Sequence, residues 1–128
     1  MVSFLRSRGR SFRYAFAGWR HVLRTQPNTW IHACASIAVG LVGWWLGLSG
    51  LEWAVIVLVV TLVWTVEFIN TALEAVVDLA SPQQHPLARA AKDVAAAAVL
   101  IASLGSVVIG LLILGPPLWA RLQALWTP

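Results

Sequence analysis

Residues 53–80 read WAVIVLVVTLVWTVEFINTALEAVVDLA. From Trp53 to Val66 the stretch is apolar apart from Thr61 and Thr65, and it is rich enough in Val, Ile and Leu to sit in lipid. At 1.5 Å per residue, the 14 residues from Trp53 to Glu67 cover about 21 Å. That is two thirds of a hydrocarbon core of roughly 30 Å. The remainder carries Glu67, Asn70, Glu74 and Asp78. At about 100° per residue these four fall within an arc of about 80° on one helix face, with Thr71 beside them. A helix that enters the bilayer as a greasy rod thus leaves it with a polar stripe. Glu67 lies in the inner part of the membrane, and Glu74 and Asp78 lie near the interface. Ionisable groups at such depth are costly and point to function.

Composition agrees with a membrane setting. The chain has 128 residues, 59% hydrophobic and 11% charged, with mean hydropathy +0.78. A soluble domain is nearer half apolar and a quarter charged. The net charge of +4 is concentrated in Arg6, Arg8, Arg10, Arg13, Arg20 and Arg24, all ahead of the first apolar run. Beside membrane spans such an arm reads as an orientation signal rather than a nucleic-acid site. The single cysteine, Cys34, excludes an intrachain disulfide and reads as a small buried hydrophobe. No short apolar core with a cleavage site follows the basic start, so the first span is expected to stay in the protein.

Working outward, Phe12, Phe16, Trp19 and Leu23 recur at helical spacing opposite most of the arginines, which predicts an amphipathic surface helix over about 11–25. Pro27 breaks it. The expected spans are 31–48, 52–80 and 87–114, in a single domain comprising residues 1–128. Gly43 and Gly47 make a GxxxG pair that permits close helix approach. Ser81-Pro82 stops the second span, Pro86 opens the third, and Gly115-Pro116-Pro117 is expected to end it. The fold class is therefore an all-α membrane protein. The arginine-rich N-terminus and the loop before Arg89 and Lys92 are placed in the cytoplasm, and the C-terminus outside.

Lys92 and Asp93 come one turn before the apolar run of the third span, level with the lower half of the stripe. A lysine, carboxylates and a helix start at one interface suit a metal-chelated polyphosphate: carboxylates hold Mg²⁺ and the lysine contacts phosphate. There is neither a GxxxxGK[ST] loop nor a GxGxxG turn. Three readings stand on these residues. The first is an ATP-dependent lipid kinase, the second a small proton- or cation-coupled transporter using Glu67, and the third a scaffold without chemistry. The one-sidedness of the polar set favours the kinase, since transporters place such a group near the midplane.

The segments ExxNTALExxxDL, SPxxHPLAxxAKDVAAAAVL and SFRYAFAGWRHVLRTQPNxxIH resemble the prokaryotic diacylglycerol kinase family of small membrane lipid kinases, from about Ser11 to Leu114, and are closer to its undecaprenol kinase branch. The resemblance implies a homotrimer with sites between subunits at the cytoplasmic face of the bacterial inner membrane. It implies Glu67 as the base for the lipid hydroxyl and Glu74 as ligand of the Mg²⁺ that carries ATP. By the same resemblance Asn70, Lys92 and Asp93 order the nucleotide, and Tyr14 and His85 line its pocket. The chain departs from the family at Gln26, where a second metal-binding glutamate is frequent. An amide oxygen can ligate Mg²⁺ but brings no charge. Thr29 and Trp30 replace a frequent aromatic–arginine pair. Ser7 stands where an arginine contacts the nucleotide, with Arg8 and Arg10 the nearest substitutes.

Overall fold

In a bilayer each backbone N–H and C=O must be satisfied within the segment, so the apolar runs can only be helices. The computed structural model describes residues 2–83 and 85–126, with side chains from residue 9 onward. Its described residues form four helices: α1 (Val2–Thr25), α2 (Asn28–Leu46), α3 (Gly50–Ala80) and α4 (Pro86–Trp126). Of these, α2, α3 and α4 are long and apolar enough to cross a membrane. Of Ser7, Arg8 and Arg10, among which a nucleotide contact was expected, the side chains of Ser7 and Arg8 lie outside the described set, and Arg10 is exposed on α1.

The core runs along one face of α3, against which α4 packs over much of its length. Ile56, Val59 and Val63 are buried there, and Glu67 and Asn70 continue the same face. The polar stripe is therefore the continuation of the packing seam toward the end of α3. A seam between helices is where intramembrane polar groups are tolerated. Elsewhere the chain wears its apolar residues outward: Trp44 is 78% and Leu112 70% exposed. Cys34, expected inside, is a free and exposed thiol on α2. In a spanning helix the outward face is also apolar, so hydrophobicity does not distinguish a residue that meets lipid from one that meets protein.

The turn between α2 and α3 gives the two glycines of the GxxxG pair different roles. Gly47 does not pack against a helix; it ends α2 in the left-handed region at φ 73°. Its N–H and that of Leu48 return to the carbonyl of Gly43 at 3.1 and 3.2 Å, the Schellman closure that favours glycine. Gly43 does require its missing side chain, for the turn and for the approach of α3: a Cβ there would lie 2.9 Å from Leu48 Cδ1 and 3.2 Å from the Trp53 ring of α3. Ser49 then caps α3. Its backbone N–H donates to Glu52 Oε2 at 2.7 Å, and its hydroxyl accepts from the Glu52 N–H at 3.4 Å. Replacing Ser49 by Ala is expected to lower stability by about 1 kcal/mol, read from denaturant unfolding in detergent.

Beside the polar stripe an aromatic cluster fixes α1. The Trp19 ring lies 4.8 Å from both Trp64 and Phe68. Trp64 Nε1 donates to Ser36 Oγ at 3.1 Å, and Ser36 Oγ donates to the His32 carbonyl at 2.7 Å. Three helices are thereby tied together one turn from Glu67. Phe12 and Phe16, on the α1 face expected to meet the membrane, remain 67% and 72% exposed.

The third span differs most from expectation. α4 continues through Gly115-Pro116-Pro117 to Trp126. Two adjacent prolines remove two backbone donors, but their fixed φ is helical, and prolines are tolerated where a membrane helix can re-satisfy the freed groups. The following LWARLQALW is made of helix formers. The Arg121 guanidinium lies 5.6 Å from the Trp45 ring at the end of α2, which gives this extension a tertiary contact.

Candidate active site

The sequence places a carboxylate, an amide and a second carboxylate on successive turns of α3, and the fold closes a cavity of about 300 Å³ over them. Glu67, Asn70 and Glu74 form one wall. The break between α1 and α2 brings Gln26, Asn28 and His32 to the opposite side, and α4 contributes Ala96, Val99 and Ser103. Glu67 is 2% and Asn70 7% exposed, while Glu74 is half-buried nearer the surface. The Glu74 carboxylate is held from two sides. Gln26 Nε2 donates to its Oε2 at 2.8 Å, and Asn70 Nδ2 donates to its Oε1 at 3.3 Å. Hydrogen bonds to an ionised acceptor are the stronger kind, so this clasp fixes the carboxylate's direction. Deeper in, His32 Nε2 approaches Glu67 Oε2 to 3.8 Å.

The lower end of the stripe belongs to a different hollow. Between the end of α3 and the start of α4 lies an open cleft of about 740 Å³, lined by Asp78, His85, Arg89, Lys92 and Asp93 among others. Lys92 Nζ donates to both Asp78 oxygens at 2.8 and 3.0 Å. Arg89 and Asp93 sit one turn apart at 4.0 Å and are largely exposed. His85 caps α4: its Nδ1 accepts the Leu87 N–H at 3.2 Å, which Pro86 in the first helical position cannot offer. The expected single cluster is thus two neighbouring ones. Glu67, Asn70, Glu74 and Gln26 share the cavity, whereas Asp78, Lys92, Asp93 and His85 share the cleft. Tyr14 lines neither; it is exposed on α1 with the Arg13 guanidinium 5.8 Å from its ring.

The donor set of the cavity suits a hard cation. Asn70 Oδ1 is buried without a hydrogen-bond partner, beside a carboxylate and a second side-chain amide. Oxygen ligands with one carboxylate are what Mg²⁺ takes when phosphate and water complete its shell. A protein-only cage is not formed: among the described residues no three His, Cys, Asp or Glu side chains converge to hold a metal.

Residues 13–114 match the family described as prokaryotic diacylglycerol kinase. The chain belongs to that family. It is 43% identical over 109 residues to the undecaprenol kinase of Bacillus subtilis, covering 85% of this chain and 89% of the relative. Against a diacylglycerol kinase of Synechocystis it is 46% identical over 109 residues, 84% of this chain but 62% of the relative's length. The diacylglycerol kinase of Escherichia coli K12 is 36% identical over 95 residues, 74% of this chain and 78% of the relative. The stretch that matches the family contains all four members of the polar stripe as well as Gln26 and His32.

Three polar cavity residues, Asn28, His32 and Ser103, had not been singled out from the sequence. Asn28 opens α2, and His32 lies on its second turn inside an otherwise apolar run. The signal for His32 was present, since an ionisable residue within a span is a candidate functional group. What the sequence lacked was the pairing across helices that sets it opposite Glu67.

Proposed function

We propose that this protein is a lipid kinase. It transfers the γ-phosphoryl group of ATP to the hydroxyl of a long-chain membrane alcohol, undecaprenol in the first instance and diacylglycerol as the alternative, on the cytoplasmic side of the bacterial inner membrane. The observation that carries this reading is the graded cavity: a buried carboxylate, Glu67, lies deeper than a clasped one, Glu74, on the same helix face. Seven residues separate them, about 10 Å along the axis. A lipid alcohol comes from the bilayer and a nucleotide from water, so a base belongs below a phosphate site. Relatives named undecaprenol kinase and diacylglycerol kinase support the same class of chemistry.

In this reading Glu67 accepts the hydroxyl proton, and Asn70, which donates to Glu74, helps to order the nucleotide. Glu74 and Gln26 would hold Mg²⁺, which when bound neutralises charge on the phosphates. Lys92 turns from Asp78 to the phosphates, with Asp93, His85 and Tyr14 around the nucleotide. Phosphoryl transfer needs little covalent help from the protein, so positioning and charge are the main contributions. A homotrimer with sites between subunits would bring the separate cleft, and Tyr14, to a neighbour's cavity. The basic N-terminus and the α3–α4 loop face the cytoplasm, with the end of α4 outside.

The test is transfer of label from γ-labelled MgATP by purified protein in lipid, with undecaprenol and diacylglycerol offered separately. Label in one lipid establishes the activity and its substrate. Label in neither, with Mg²⁺ or Mn²⁺, removes this reading.

A further inference from the structure

His32 is the ionisable side chain in the cavity to which the proposed reaction assigns no task. Its Nε2 is buried and has no hydrogen-bond partner, yet it points to Glu67 Oε2 at 3.8 Å. Asn70 Oδ1 and Ser103 Oγ in the same cavity are also buried without a partner, but neither is ionisable; the charged groups nearby are engaged, Glu74 with Gln26 and Asn70 and Lys92 with Asp78. A buried polar atom left without a partner asks for an explanation, and a role in turnover is one. The gap exceeds hydrogen-bond length, and catalytic hydrogen bonds are often long before substrate binds and tighten afterwards.

The surroundings leave Glu67 as the group that faces this imidazole. From α3 come Glu67 and, farther toward the surface, Glu74. From α4 come Ala96, Val99, Leu100 and Ser103, none of which titrates. The α1–α2 junction adds Gln26 and Asn28, and the described ionisable side chains of α1 (Arg10, Arg13, Arg20, His21 and Arg24) are exposed.

Resting on the kinase reading, we propose that His32 is a positioning residue for Glu67: its bare Nε2 accepts a hydrogen bond from the Glu67 carboxyl once that group has taken the alcohol proton, and then takes the proton on. The alcohol O–H breaks and its proton goes to Glu67. The alcohol oxygen's electron pair forms the new O–P bond as the bond from the γ-phosphorus to the bridging oxygen breaks, and that pair leaves on ADP. The proton passes from Glu67 to His32 Nε2, and the imidazolium so formed gives up a proton to water, so Glu67 is ready for the next alcohol. Two groups sharing one proton behave as a coupled pair.

Two measurements on the full-length protein in lipid test this. In the first, kcat for lipid phosphorylation is followed against pH for the parent protein, His32→Gln and His32→Asn. Both variants keep a hydrogen-bonding side chain but cannot take a proton. The parent is expected to lose rate on acidification between about pH 5 and 8, the window in which histidine changes charge. Both variants are expected to lack that limb and to fall about tenfold to a hundredfold in kcat, a part of what proton transfer supplies, with KM for MgATP and lipid unchanged. An active parent whose pH profile and kcat survive both substitutions overturns the inference and leaves the kinase reading intact. No transfer by the parent overturns both.

The second measurement needs no turnover. The ¹⁵N signals of the His32 ring are titrated in the parent and in Glu67→Gln. Two coupled steps in the parent and one in the variant are expected. Identical curves overturn the inference, even if the protein proves an active kinase.

Discussion

Glu67→Gln is expected to lower lipid phosphorylation by at least about 10²-fold, the lower end of what a positioned base contributes. Binding of MgATP should be retained, because the clasped Glu74 is a separate group two turns away. Glutamine has the same reach and still hydrogen-bonds, but it cannot take the proton, so the substitution removes basicity with little change in shape. Its effect on stability should have the opposite sign. The native carboxylate is 2% exposed, and the basic group nearest it, His32, is 3.8 Å away. A buried charge without a tight partner is a cost to the fold, and a neutral amide removes that cost. The variant should therefore unfold no earlier than the parent in detergent. Lost transfer with undiminished stability is the pattern of a residue kept for function against the interest of the fold. A variant that unfolds early would instead make Glu67 a structural group, and one that still transfers phosphate at the parent rate would place the base elsewhere.

The half of this site that lies on α3 could be read from the sequence because a helix repeats. Glu67, Asn70, Glu74 and Asp78 share a face by angle alone, and that face proved to be the one that buries Ile56, Val59 and Val63. The other half depends on how separate helices meet, which no periodicity encodes. Gln26 entered through resemblance, and its 2.8 Å contact with Glu74 links residues 48 apart in the chain. His32 could have been noticed as a titratable residue in a span, but not as a neighbour of Glu67. Lys92 was placed at the right level and on the right helix. Its choice of Asp78 over Glu74 is a matter of side-chain reach, which spacing does not resolve.

The ends of the spans taught a different lesson. Gly47 was visible as one of two glycines four apart, yet that pattern serves both helix contact and helix ending. The left-handed backbone at Gly47 serves the second, while Gly43 serves the first against the Trp53 ring of α3. Pro116 and Pro117 read as a stop, yet a proline's fixed φ is itself helical and the residues that follow are helix formers, so the helix continues to Trp126.

Glu74→Gln should be the second severe change, and its partner allows a sharper test than loss alone. In the parent protein Glu74 accepts hydrogen bonds from two amides, Gln26 and Asn70. With glutamine at 74 one side-chain oxygen must serve two donors, while its own NH₂ is turned toward one of them. The negative charge available to Mg²⁺ at this point is lost. Transfer is expected to fall by about 10² or more, a typical loss when an electrostatic contact to the transition state is removed, and the Mg²⁺ concentration needed for half-maximal rate should rise. Adding Gln26→Glu restores one carboxylate and one amide across the same 2.8 Å contact, with donor and acceptor exchanged. If the site needs one negative charge facing the phosphates, the double variant should recover much of the rate and the Mg²⁺ response. If it stays as poor as Glu74→Gln alone, the charge must come from α3, and Gln26 only holds that carboxylate in place. Gln26→Glu by itself sets two carboxylates against each other. It should lower stability in the absence of Mg²⁺ and regain it as Mg²⁺ is added, a ligand-dependent shift in unfolding that a site without a metal would not show.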